Sequence, residues 1–233
     1  MASVKDAVVL DLATQSLRDA NAYLHEHAHE LSGKTVRILN PAGLHSIAAG
    51  ANVDTRIEIE GHAGYYAAGM NRQAEITIHG NAGCGLAENM MSGIVRVKGN
   101  ASTCAGATAH GGVLVIEGDA SSRCGISLKG TEIVVGGSVG HMTGFMAQAG
   151  RIVVCGDASH GLGDSLYEAI LYVRGAVQGL GADAEEQEMT PEDFADLERL
   201  LELAGFSHEP TEFKRIGSAR QLYHWNPDAA QDY

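Results

Sequence analysis

Residues Val95–Ala120 read VRVKGNASTCAGATAHGGVLVIEGDA, and the start and end of this stretch match each other 19 residues apart. In both places two aliphatic residues alternate with others, a glycine follows, and a small apolar residue stands two positions later: Val95, Val97, Gly99, Ala101, then Leu114, Ile116, Gly118, Ala120. The pattern extends in both directions. IEIEGHA, ITIHGNA, VRVKGNA, LVIEGDA, IVVGGSV, IVVCGDA and LYVRGAV align on Gly61, Gly80, Gly99, Gly118, Gly137, Gly156 and Gly175 at a constant step of 19. Glycine makes up 30 of the 233 residues, so seven coincidences in one register have a chance probability on the order of one in a million. NPAGLHSIAAGAN places Ala48-Ala49-Gly50 one period before Ala67-Ala68-Gly69, so an imperfect unit precedes the seven regular ones.

A spacing of two puts both aliphatic side chains on one face of a strand. Nineteen residues are too few for a βαβ crossover, and glycine with β-branched residues excludes paired helices. The predicted fold is therefore an all-β solenoid, a right-handed parallel β-helix with 19-residue coils. At about 4.8 Å per coil, seven coils make a prism some 34 Å tall. The repeat glycines mark the bend after each strand, where positive φ or close backbone approach excludes a side chain. The ladder of a leucine-rich horseshoe is absent.

Raw strand edges at both ends of a solenoid need covers. The organisation expected is a strand and helix cap over 1–33, the β-helix over 34–182, and a helix and tail over 183–233. Thr14 is placed to N-cap a helix carrying Leu17, Ala20, Leu24, Ala28 and Leu31. Thr190-Pro191-Glu192-Asp193 reads as N-cap, Pro at N1 and early acids, with a stop at Gly205. All seven regular coils precede Gly205, and the tail FKRIGSARQLYHWN is either a strap along its own prism or an arm for another chain.

Sixteen basic and 29 acidic residues give a net charge of −13, which opposes binding to phosphate backbones or anionic lipid. No apolar run approaches bilayer length, and the N-terminus lacks the basic flank and apolar core of a signal peptide, so a cytoplasmic protein is expected. Cys84, Cys104, Cys124 and Cys155 form no CxxC pair and read as packing residues with free thiols.

HEHAHELSGKT at His25–Thr35 matches both H-E-x-x-H and a relaxed Walker A loop. A phosphate loop needs strand, glycines, then helix, and the order here is reversed. His25 and His29 fall one helical turn apart, but Ser32 and Thr35 stand where the extended zinc motif needs Gly and His. Both matches read as a charged helix face. Gly161-Leu-Gly163 and Gly179-Leu-Gly181 lie in coil bends, and Asp119 and Asp157 follow their glycines as turn formers. No catalytic, cofactor-binding or metal-ligating residue is assigned.

The outward strand positions change character along the repeat. Early coils carry Glu58, Thr77 and Arg96; later ones carry Val115, Val134, Val153 and Tyr172, a face that the C-terminal helix or a partner must cover. Beyond the bends, Tyr65, Tyr66, Met70, Met90, Met91, Met142, Phe145 and Met146 gather either as interior packing or as a contact surface. The interface residues named on this basis are Tyr65, Tyr66, Met90, Met91, Phe145, Met146 and Tyr172, with Phe213, Arg220 and Tyr223 from the tail.

The runs GHAGYYAAGMNRQ, GNAGCGLAENMMSG, GDASSRCGISLKG and GSVGHMTGFMAQAG, with FKRIGSARQLY, resemble the β-helix domain that closes the large subunit of glutamate synthase. They are closer to its free-standing version, the small subunit of N-methylglutamate synthase. The resemblance runs from about Val36 to Tyr223; a literal G-x-G-x-G is absent, the nearest run being Gly80-x-x-Gly83-x-Gly85. It implies a hetero-oligomer in which this chain is a scaffold without cofactor. One partner is similar to glutamine amidotransferases with an N-terminal cysteine, and the other carries FMN and iron–sulfur centres. The implied reaction converts glutamate and methylamine to N-methylglutamate and ammonia. The alternatives are the equivalent subunit of a glutamate synthase-like or formylmethanofuran dehydrogenase-like complex, and a stand-alone β-helix acting on polysaccharide. The last lacks an aromatic or acidic row along one face.

Overall fold

Equivalent positions of the repeat are stacked one above another, as hydrogen-bonded neighbours. In the computed structural model, which describes residues 7–222, the strands β1 (Ala7–Asp11), β2 (Thr35–Leu39), β3 (Arg56–Glu60), β4 (Glu75–Ile78), β5 (Ile94–Val97), β6 (Val113–Ile116), β7 (Lys129–Val135), β8 (Ala149–Val154) and β9 (Ile170–Val173) pair in sequence order, all parallel. The chain is a parallel β-solenoid. Register places Ile59, Ile78, Val97, Ile116, Val135, Val154 and Val173 in one row, each fully buried. The companion row runs from Ile57 to Leu171, and the small residues from Ala63 to Val177 form a third through isolated parallel bridges. A slip by one residue would turn every aliphatic side chain outward, which is why the pairing is unambiguous.

The bends carry a second ladder. Asn100 N–H donates to Asn81 Oδ1 at 2.9 Å, Asp119 N–H to Asn100 Oδ1 at 2.8 Å, Ser138 N–H to Asp119 Oδ1 at 2.7 Å, Asp157 N–H to Ser138 Oγ at 3.0 Å and Ala176 N–H to Asp157 Oδ1 at 2.8 Å. The residue after each glycine thus ties its coil to the next. At Gly80 the reason for glycine is close approach: a Cβ there would lie 2.7 Å from the Gly61 carbonyl carbon. Opposite the strands, alternate turn residues take left-handed φ in successive coils, for example Tyr66 (58°), Ala68 (54°) and Met70 (56°).

Both ends are covered, with differences from the sequence reading. Ser16, not Thr14, caps the first helix, α1 (Leu17–Glu26): its Oγ accepts from Asp19 N–H at 3.1 Å, while the Thr14 hydroxyl donates to Asp11 O in the preceding turn. Both are good cap residues, but only Ser16 has an acid at N3 to return the bond, Asp19 Oδ2 accepting from Ser16 Oγ at 2.7 Å. The helix also stops early, at His27, and Ala28–Leu31 forms a separate turn, α2.

At the other end β10 (Ala184–Gln187) precedes α3 (Pro191–Ala204), and β11 (Lys214–Ser218) follows it. Strand β11 runs antiparallel to both β9 and β10, so the described part of the tail is a strap that completes the sheet. The two sides of the Thr190–Asp193 capping box are both present, and Gly205 ends α3 in the left-handed region at φ 80°. Helix α3 is the cover of the late outward row. Leu197, Leu200, Leu201 and Ala204 bury Val115, Val134, Val153 and Tyr172 in a second core. Fourteen helical residues span about 21 Å, and the four coil steps from Arg96 to Tyr172 span about 19 Å, so the helix ends where the apolar row ends. Arg96 meets it there, donating to Ala204 O and Leu203 O at 2.9 Å each. A cation on the last carbonyls also opposes the helix dipole. Glu58 and Thr77 lie beyond its reach and are polar.

Candidate functional site

His25 does not face His29 across a helical turn, because the helix breaks between them; His25 Nε2 lies 3.1 Å from Ala49 O instead. Among the described residues no group of three His, Cys, Asp or Glu side chains is placed to hold a metal ion. Asp119 and Asp157 are spent in the bend ladder. All four cysteines are free thiols. Burial pushes Cys124 up to about 12 and Cys155 up to about 11, and burial with neighbouring Cys84 raises Cys104, so none of these three is poised as a thiolate nucleophile.

A buried polar cluster serves α3. Tyr172 Oη donates to Asp193 Oδ1 at 2.6 Å, Thr190 N–H and Oγ1 donate to Asp193 Oδ2 at 2.8 and 2.7 Å, and Arg215 Nε lies 3.3 Å from Asp193 Oδ1. Burial opposes ionisation of Asp193, but the bonds from Tyr172 and Thr190 and the charge of Arg215 outweigh it, holding the carboxyl below its ordinary range. A depressed carboxylate stabilises the fold above the unfolded pKa, and that stability is lost as pH falls through the folded value. Asp193→Asn is accordingly expected to cost about 1–3 kcal/mol at pH 7. It should also flatten the loss of stability below about pH 4. Urea unfolding at several pH values checks both, and an unchanged acid limb would show that this carboxylate does not hold the helix.

The aromatic and methionine residues divide between buried and exposed positions. Met90 and Tyr172 are fully buried and Phe213 nearly so. These three cannot meet a partner: Met90 points into the coil interior, and Tyr172 and Phe213 pack beneath α3. Phe145 and Met146 are half-buried. Arg220 is exposed but pairs within the chain, with Glu168 at 2.7 Å, and Tyr223 lies outside the described residues. Tyr65, Tyr66 and Met91 are 51%, 48% and 43% exposed, joined by Leu44 at 41% and Met70 at 54%. Tyr65 stacks on His45 with ring centroids 4.4 Å apart. Tyr66 and Met70 wall a groove of about 250 Å³, with Gly69 and Ala49 between them and Glu88 and Asn89 at its side. Met70 stood among the aromatic and methionine residues gathered beyond the bends in the sequence but outside the named interface set, whereas nothing in the sequence marked Glu88.

No family model matches the sequence. Over 226 residues, 97% of this chain and 99% of the relative, it is 52% identical to Protein GlxC of Rhizobium meliloti (strain 1021). The chain belongs to the GlxC family. The matched length takes in the coils together with the helices α1 and α3, so likeness to GlxC concerns the whole covered solenoid rather than the repeat alone. Among the described residues of this GlxC-family chain, no helix is long and apolar enough to cross a membrane.

Proposed function

We propose that this chain is a non-catalytic scaffold subunit of a glutamate synthase-related complex, specifically an N-methylglutamate synthase. It bridges a glutamine amidotransferase-like subunit and a subunit carrying FMN and iron–sulfur clusters, in the cytoplasm. The observation that carries the reading is the group Leu44, Tyr65, Tyr66, Met70 and Met91, exposed on the early coils, on a chain whose late apolar face is already covered by α3. Tyrosine and methionine at such density are typical of protein contacts. The grouping of buried acids and thiols into structural roles supports a scaffold rather than a stand-alone enzyme, and the resemblance of the coil sequences supplies the complex and the reaction.

The test is purification of the native assembly through a tag on this chain. Two further subunits should co-purify, one with a flavin absorbance, and the assembly should form N-methylglutamate from glutamate and methylamine. An assembly that instead makes glutamate from glutamine and 2-oxoglutarate would keep the scaffold role and move it to a glutamate synthase-like complex. A chain that leaves the cell alone would overturn the proposal.

A further inference from the structure

The groove on the early coils contains an unbalanced charge. Carboxylates on the strand face have partners beside them: Glu60 pairs with Arg37 at 2.8 Å, Glu75 with Arg56 at 3.1 Å and Glu117 with Lys98 at 2.6 Å, and Glu58 meets the His79 ring at 2.6 Å. Glu88 is half-buried in the groove wall and has neither an ion pair nor a side-chain hydrogen bond among the described residues. Its position is also constrained. A Cβ built on Gly85 would lie 2.6 Å from the Tyr66 ring and 2.9 Å from Glu88 Oε2, so ring and carboxylate meet above the bare backbone of that glycine. Tyr66 and Met70 have left-handed φ of 58° and 56°, as the equivalent turn residues of the other coils do.

We infer that this groove receives an arginine side chain, flanked by aliphatic residues, from a partner subunit. The assignment rests on the scaffold reading above and adds the chemistry of the contact. A guanidinium stacks on the Tyr66 face while donating to Glu88, which a compact ammonium does less well, and its stem lies against Met70. Because Tyr66 is fixed over Gly85, little rotamer freedom is lost on binding, the condition under which an aromatic becomes an energetic centre of an interface. Burial of the arginine beside Glu88 also removes the unpaired carboxylate that the free chain carries.

Brief hydroxyl-radical labelling of the tagged native complex and of the isolated chain compares the two states directly. Tyr66 and Met70 are expected to be labelled at least about five-fold more slowly in the complex, with Met146 as an internal reference. Glu88→Gln and Tyr66→Ala, each checked for an unchanged melting midpoint, should weaken association with the flavin subunit by about ten-fold or more. The Glu88→Gln loss should shrink at high salt, as a charge contact requires. A complex that forms with Tyr66 and Met70 labelled as fast as in the free chain overturns this assignment and leaves the scaffold role standing. A chain that purifies without partners overturns both.

Discussion

Val135→Asp is expected to be the most damaging single substitution in the solenoid, lowering stability by several kcal/mol and the melting midpoint by roughly 10 °C or more. Val135 is fully buried, and its row neighbours Ile116 and Val154 sit one coil away on either side. A carboxylate there has aliphatic groups above and below and no cation within the row. It must either remain ionised without solvent or take up a proton, and both cost free energy. The coils are not independent, so the damage spreads: each strand is hydrogen-bonded to its two neighbours, and a coil that opens removes a partner from both. Ser121→Asp, on the exposed side of a bend, serves as the control and should change stability by no more than about 0.5 kcal/mol. Thermal unfolding by circular dichroism distinguishes the two variants. Equal midpoints for Val135→Asp and wild type would mean that the inward face has been misassigned.

That inward face could be read from the sequence because stacking makes the same demand at the same position of every coil. A single strand such as IVVC is ambiguous, but seven superposed strands are not. The cover over the late coils was legible for a related reason: Val115, Val134, Val153 and Tyr172 break the polar outward row, and Thr190-Pro191 announces a helix of suitable length. What the sequence concealed was conditional on contacts between distant segments. Arg96 looks like one more solvated charge until the C-terminus of α3 is brought against it. Met90 and Met91 are neighbours with opposite fates, one buried and one exposed. The preceding turn alternates right- and left-handed residues, so period-two counting cannot be carried across it. Glu88 illustrates the same limit for the groove. Aromatic and methionine residues outside the aliphatic rows leave interior packing and contact surface both open in the sequence, whereas the counter-charge missing beside Glu88 is visible only in three dimensions.

Truncation after Gly205 is expected to leave a chain that is destabilised and self-associates, although every regular coil precedes the cut. The coil count alone argues that the prism should survive. The sheet argues otherwise, because β11 is the strand that hydrogen-bonds β9, with Arg215 opposite Tyr172 and Ile216 opposite Leu171. Without it the edge of β9 is open, and β10 loses its neighbour in the sheet. Two buried apolar side chains, Phe213 and Ile216, go with it, each contributing about 1.5–3 kcal/mol through apolar burial. Asp193 loses Arg215 as a counter-charge beneath the start of α3. An open strand edge flanked by apolar residues is a template for another chain, and the acidic β10, with exposed Glu185 and Glu186, normally stands where such growth would begin. Light scattering coupled to size exclusion should therefore find multiples of the chain mass for the Gly205 truncation, together with a lower melting midpoint. A truncation after Leu222 keeps β11 and should match the full chain in both measurements. If the shorter chain instead has the full chain's midpoint and mass state, β11 is dispensable, and α3 alone closes that end of the solenoid.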